Sequence, residues 1–318
     1  MNSTAPTIAI VIPCYNEQDA LPHTIRVIEN LLDKLIESES ISRNSYILCI
    51  NDGSKDATWP LIKDLNKQNE FVKGISLAHN RGHQYALLAG LMTVKDYCDA
   101  AISIDADLQD EPQAIIEMIA KYKEGYEIVY GVRQSRATDT WFKRNSARTF
   151  YRLQSIMGLE TVYDHADYRL MSRRALEILS EYKESNLFIR GIIPQIGLKT
   201  TIVKYDRNSR IAGESKYPLK KMLLFSIDGI TSFSSRPLRL IFSIGLIMWI
   251  ASIFVGIYAL SSYFLGKAVS GWASLLLSVW FLGSLILMAL GVVGEYIGKI
   301  YTEVKARPRY NIEEQIGF

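Results

Sequence analysis

Ala100-Ala101-Ile102-Ser103-Ile104-Asp105-Ala106-Asp107-Leu108-Gln109-Asp110 changes character halfway along. Its first five residues are small or apolar, as a buried strand requires, and the remainder brings three carboxylates into six residues. Short runs of the same kind recur on either side. Strands are expected at 7–12, 46–51, 72–78, 100–105 and 127–131, and helices at 19–37, 57–69, 82–95 and 112–123. This alternation predicts an α/β domain: a mostly parallel, Rossmann-like sheet covered by helices on both faces. Ligands of such sheets bind outside the carboxyl ends of the strands. The polar loops fall there, at 13–17, 51–56 and 105–110, so one composite site is expected.

The chain has 318 residues and a net charge of +3, which gives no reason to invoke nucleic acid. Its three cysteines, Cys14, Cys49 and Cys98, lie in or beside apolar runs without metal-ligand spacing, and reduced buried thiols are expected. No signal-peptide pattern opens the sequence. No Asp, Glu, Lys or Arg occurs in residues 240–265 or 272–294. Each run exceeds the about 20 residues needed to cross a hydrocarbon core, so a transmembrane hairpin is expected, its helices near 238–265 and 272–297. Arg236 and Arg239 precede it and Lys299, Lys305, Arg307 and Arg309 follow it, while its tip holds only Lys267. The positive-inside rule then places a domain at 1–235 and a tail at 299–318 in the cytoplasm, on a multi-pass protein of the cell membrane. Buried helices of a soluble protein are the plainer alternative.

Residues 139–157 and 217–231 are amphipathic at helical period and basic on one side, which suits either the lipid headgroup boundary or cover for a sheet. Gly294-x-x-x-Gly298 has the spacing of close helix contacts, and raises homo-oligomerisation beside an ordinary pair of membrane-helix glycines.

Two carboxylates two residues apart at a strand end can approach one point. Oxygen ligands without His or Cys favour a hard cation such as Mg²⁺ or Mn²⁺, though the same residues also make turns and helix caps. Pro13, Tyr15 and Glu17 suit stacking and hydrogen bonding to a nucleoside, or a strand exit before a helix. Asp52 in Asn51-Asp52-Gly53-Ser54-Lys55-Asp56 suits a base or ribose, or turn chemistry alone. Asn80-Arg81-Gly82 leads a helix whose first N–H groups can face a ligand.

In order, Pro13-Cys14-Tyr15-Asn16-Glu17, Asn51-Asp52-Gly53-Ser54-Lys55-Asp56, Asn80-Arg81-Gly82 and Asp105-Ala106-Asp107-Leu108-Gln109 resemble the successive motifs of the inverting glycosyltransferases with a GT-A fold. Asp167-Tyr168-Arg169-Leu170-Met171, Phe188-Ile189-Arg190-Gly191, 207–217 and 228–234 resemble the polyisoprenyl-phosphate branch, which includes bactoprenol glucosyltransferases and dolichyl-phosphate mannosyltransferases. The resemblance runs from about Ile8 into the C-terminal tail. It implies transfer of a sugar, glucose from UDP-glucose by the character of the tail, to undecaprenyl phosphate with inversion. GDP-mannose is the alternative donor.

By this resemblance Pro13, Tyr15, Glu17, Asp52, Asp105 and Gly82 would hold the nucleotide sugar, and Asp107 and Gln109 a divalent metal. Arg169, Arg207, Arg210 and Lys216 would meet donor diphosphate or lipid phosphate. Asp107, Asp167 and Arg133 are the catalytic candidates, Asp167 as a base, a partner of Arg169 or a structural cap. Ala166 and Ser172 depart from the Gly and Asp frequent in relatives. A processive polysaccharide synthase would carry Gln-x-x-Arg-Trp and more spans, which the sequence lacks. A non-catalytic membrane adaptor would make the acidic cluster a coincidence.

Overall fold

The computed structural model describes residues 5–133, 165–184, 189–206, 236–265 and 271–318. The expected segments at 139–157 and 217–231 lie outside them. Strands β1 (Ile8–Cys14), β2 (Tyr46–Asn51), β3 (Val72–Leu77), β4 (Ala100–Ser103) and β5 (Ile128–Arg133) alternate with helices α1 (Leu21–Glu37), α2 (Thr58–Gln68), α3 (His83–Val94) and α4 (Ala114–Lys123). These nine elements are the ones the sequence pattern indicates, with ends shifted by a few residues. After them come β6 (His165–Ser172), α5 (Arg173–Glu181), the single-turn α6 (Ile189–Ile192), β7 (Thr200–Tyr205), α7 (Arg236–Phe264), α8 (Trp272–Val304) and β8 (Ile312–Ile316).

The eight strands form one sheet in the order β7-β5-β6-β4-β1-β2-β3-β8. Its centre, β4-β1-β2-β3, is parallel, as is the β5–β7 pair. β6 runs antiparallel to both neighbours, and β8 antiparallel to β3, so the sheet is mixed where a mostly parallel one was expected. The direction of β6 matters for function. Its amino end lies at the edge where β1, β2, β4 and β5 have their carboxyl ends, with Arg169 opposite Ser103. One edge therefore collects 105–110, 13–17, Asp52, Arg133 and Asp167.

Burial explains the helix positions. Leu21, Ile25, Ile28, Leu32 and Leu35 line one stripe of α1 and join the core with Ile8, Ile10 and Ile12. α3 is buried on nearly every side, from Ala86 to Leu91. It approaches the sheet closely at Gly90, where a Cβ would stand 2.6 Å from both Ile50 and Val11 side chains. Pro13 is tolerated inside β1 because pairing with β4 has already ended at Val11. Ser172 caps α5 by accepting the Ala175 N–H at 3.1 Å, a duty Asp performs equally well.

Two features differ from the expected layout of the C-terminal region. Helix α8 continues past 297 to Val304, and the stretch taken as a tail contains β8, which pairs with β3. Trp59 donates to Glu314 at 2.7 Å, and Phe318 packs its ring against Tyr46 and Tyr97 beneath the Lys73 ammonium. Contacts divide the chain into two units. One holds all eight strands, Arg307–Phe318 included, and the other holds α7 and α8 within Tyr217–Ala306. The latter helices have 29 and 33 residues. Among the described residues Phe281–Val304 is long and apolar enough to cross a membrane, with a mean hydropathy of 1.8.

Removing 311–318 leaves β3 as an open edge and strips Phe318 from Tyr46. The shortened protein is expected to lose on the order of 2 kcal/mol, or roughly 4–8 °C in thermal midpoint. Equal midpoints would show that the sheet is complete without β8.

Candidate active site

The loops after β1 and β2 are laced together by polar contacts. Asn16, at φ 56°, donates its N–H to Ser54 Oγ at 3.0 Å and accepts the Lys55 N–H at 2.9 Å. Glu17 N–H reaches Thr58 Oγ1 at 2.9 Å, and Gln18 accepts from Ala57 at 3.0 Å. Tyr15 is left standing with 43% of its surface exposed.

Asp52 behaves differently from a surface ligand. It is buried, and its two oxygens accept the Arg81 and Gly82 N–H groups at 2.7 and 2.9 Å. Burial pushes its carboxyl above the ordinary value, with these two bonds working against the rise. Asp52 thus fastens the loop before α3 to the end of β2. Gly53 lies in the same crossing at φ 61°, and a Cβ there would stand 2.5 Å from Asn80 N and 2.7 Å from His79 C.

In the acidic loop Asp107 accepts the Gln109 N–H at 3.2 Å across Leu108, whose φ is 49°. Gln109 is buried and Asp107 half-buried. Among the described residues no group of three or more His, Cys, Asp or Glu side chains is arranged to hold a metal by itself. Asp110 is fully enclosed. It accepts Tyr205 Oη–H at 2.6 Å and the Arg133 Nη2–H at 3.0 Å. Arg133 is tied to Asp110 and its side chain remains 30% exposed at the edge. Although burial works against its charge, Asp110 and Tyr205 raise its pKa.

Asp167 occupies the start of β6 with its side chain 11% exposed. Arg190 grips it with two bonds, Nε to Oδ1 at 3.1 Å and Nη2 to Oδ2 at 2.9 Å, and Arg169 donates to Oδ1. His83, the first residue of α3, brings Nε2 within 3.5 Å of Asp167 and 3.7 Å of Asp105. Burial alone would raise the Asp167 carboxyl, but Arg190, His83 and Arg169 hold it well below the usual range. Its contribution to stability is complete above the ordinary carboxylate pKa, and is lost as pH falls through the lowered value. Such a group is a poor proton acceptor near neutrality. Asp105 goes the other way: although its side chain is 44% exposed, desolvation by its neighbours, assisted by Asp110, Asp167 and Asp107 and opposed by His83, pushes it up to about 6.

Arg169 is 1% exposed and paired with Asp167 on a strand inside the sheet. Arg207, Arg210 and Lys216 lie outside the described residues. His83, Tyr205 and Asp110 were not singled out from sequence, and Arg190 carried no assigned role. A polar residue immediately after Asn80-Arg81-Gly82, at a helix start beside the acidic loop, was the available signal for His83.

Gly53→Ala forces a Cβ into the His79–Asn80 main chain at a φ that L-residues avoid. A loss of at least about 2 kcal/mol is expected in thermal or urea unfolding. Unchanged stability would show that the two loops can separate.

Three relatives agree in covering almost the whole length. The protein named "Uncharacterized glycosyltransferase YkoT" of Bacillus subtilis (strain 168) is 51% identical over 98% of this chain and 93% of that one. A prophage bactoprenol glucosyl transferase homolog of Escherichia coli (strain K12) is 39% identical over 96% of this chain and 98% of its own. The bactoprenol glucosyl transferase of Shigella phage SfX is 39% identical over 97% and 99%. The model of glycosyl transferase family 2 matches residues 9–179, which takes in β1 to β6 and every edge residue described above except Arg190 and Tyr205. With the family model covering more than half of the chain and relatives matching along nearly all of it, the chain belongs to glycosyl transferase family 2.

Proposed function

We propose that the protein transfers glucose from UDP-glucose to undecaprenyl phosphate, with inversion, at the cytoplasmic face of a bacterial membrane. Full-length similarity to bactoprenol glucosyl transferases is the observation that carries this reading. Phe242, Phe254, Leu287 and Met288 on α7 and α8 are each at least two-thirds exposed, and apolar surface of that extent needs cover. A two-helix membrane anchor with both ends in the cytoplasm provides it.

The nucleoside would lie on Tyr15 with Glu17 alongside, in the laced loops. Asp107 and Gln109 offer oxygen donors without His or Cys, and the Asx turn at Leu108 fixes their spacing. That donor set fits Mg²⁺ or Mn²⁺ once donor phosphates supply further oxygens. When bound, the cation would neutralise charge on the departing nucleotide diphosphate. Asp105 would take the donor side of the loop.

The acceptor removes the need for a base. A phosphate monoester has a second pKa near ~6 and is largely dianionic at neutral pH. Asp167, held ionised by Arg190, His83 and Arg169, fits the role of an orienting carboxylate. Catalysis would come from in-line positioning and electrostatic stabilisation, with Arg133 at the edge as a cation held ready by Asp110. One displacement on an α-linked donor gives a β-linked lipid product.

Purified full-length protein in detergent, given undecaprenyl phosphate, Mn²⁺ and a panel of labelled nucleotide sugars, tests this directly. Label should enter the organic phase from UDP-glucose, disappear with a chelator and fall at least about 1000-fold in Asp107→Ala. Transfer from GDP-mannose alone would replace the donor, and no transfer from any donor would refute the reading. In the same assay the lipid product should be β-linked. An α-linked product would refute the single displacement.

A further inference from the structure

Loop 78–82 runs from β3 into α3 and carries Gly82 up to His83 at the site. Sheet order gives this loop a neighbour on each side, since β3 lies between β2 and β8. On the β2 side, Asp52 accepts the Arg81 and Gly82 N–H groups, and Gly53 lies against His79 and Asn80. On the β8 side, the Asn311 carbonyl accepts the Ala78 N–H at 3.0 Å, one residue beyond the end of β3. The loop is gripped from both sides, and its second grip comes from residues that follow both long helices.

The Asn311 carbonyl is only as fixed as the segment that carries it. Helix α8 has ended at Val304, and Pro308 bars a return to helix. Two residues before Asn311, half-buried Arg309 donates Nη1–H to the Tyr182 carbonyl at 2.9 Å. Tyr182 caps the carboxyl end of α5, where carbonyls lack helical partners and the helix dipole favours a cation. α5 in turn packs against α3, the helix into which the loop leads. Arg309 therefore ties segment 309–311 to the framework that carries α3.

We propose that Arg309 is a positioning residue for the nucleotide sugar: by fixing segment 309–311 it holds the outer side of loop 78–82, and so sets where Gly82 and His83 stand. The proposal rests on the transferase reading. It adds a residue from beyond 9–179, the part matched by the family model. The loop shares Asp52 with the nucleotide side, and His83 stands 3.7 Å from Asp105, so the donor is the substrate that a loosened loop misplaces. A misplacement of about 1 Å can cost on the order of 100-fold in rate, so a modest loosening is measurable.

Full-length Arg309→Gln, Arg309→Lys and Trp59→Phe are compared with the parent in detergent. Arg309→Gln should raise KM for UDP-glucose at least about fivefold and leave KM for undecaprenyl phosphate within about twofold. Calorimetric binding of UDP with Mn²⁺ should weaken to match. Amide exchange at 79–83 should quicken by more than about twofold, while β1 and β4 keep the parent rate. Arg309→Lys keeps a donor and should show the same pattern at smaller size; it carries the test should Arg309→Gln not fold. Trp59→Phe loses the Glu314 hydrogen bond and weakens β8 without touching Arg309, so it should lower the thermal midpoint and leave the donor KM unmoved. Donor KM and loop exchange within about twofold of the parent in the folded Arg309 variants would overturn the assignment. So would equal rises in both KM values, or the same donor effect in Trp59→Phe. If the parent transfers no sugar, the transferase reading fails on its own, and loop exchange with UDP calorimetry still decides whether Arg309 positions the loop.

Discussion

A carboxylate taken out of water must be met by cations, and at Asp167 that requirement organises the site. Arg169 meets it from within the sheet, Arg190 from the turn of α6, and His83 from the start of α3. Three separate parts of the chain are thereby brought to one atom group. Because β6 runs against its neighbours, this group falls at the edge where the parallel strands end. Removing one partner of such an assembly generally costs about 3–5 kcal/mol, because the charges that remain are left buried and unmatched. The enclosed Arg169 is thus intelligible as half of a pair, and would be hard to explain alone.

A second layer of organisation comes from main-chain polar groups. Asp52 receives two N–H groups from the loop before α3, while Asn16 and Glu17 exchange bonds with the loop after β2. Loops held in this way behave as rigid parts, and rigid parts are what an electrostatic catalyst requires, since its donors must already point where charge develops. The motifs at 13–17 and 51–56 include residues that hold each other.

The sequence was most legible where one physical rule acted alone. Period-two and period-3.6 patterns indicated β1 to β5 and α1 to α4, because each buries a simple apolar face. The period-two pattern marks no strand beyond Gly131. β6 carries Asp167 and Arg169 in the middle of its run, so a core strand looks like a polar motif until its pairing partners are known. β8 reads Ile312-Glu313-Glu314-Gln315-Ile316, with little apolar character of its own, and is a strand because β3 offers it an edge. His83 and Arg190 were illegible for a related reason. Their significance lies in a shared oxygen on a residue far away along the chain, and spacing cannot reveal that.

β8 also constrains how the molecule is made. Trp59 and Glu314 are separated by 255 positions, and both long helices lie between them. On a ribosome, β1 to β5 emerge long before their last neighbour exists, so β3 waits as an exposed edge while 236–304 are being synthesised. Closing so long a loop is slow and entropically costly, and the waiting edge is a template for pairing with other nascent chains. The lysine at position 73 on β3 then has a meaning in biogenesis: it keeps a late-sealed border soluble until its own strand arrives.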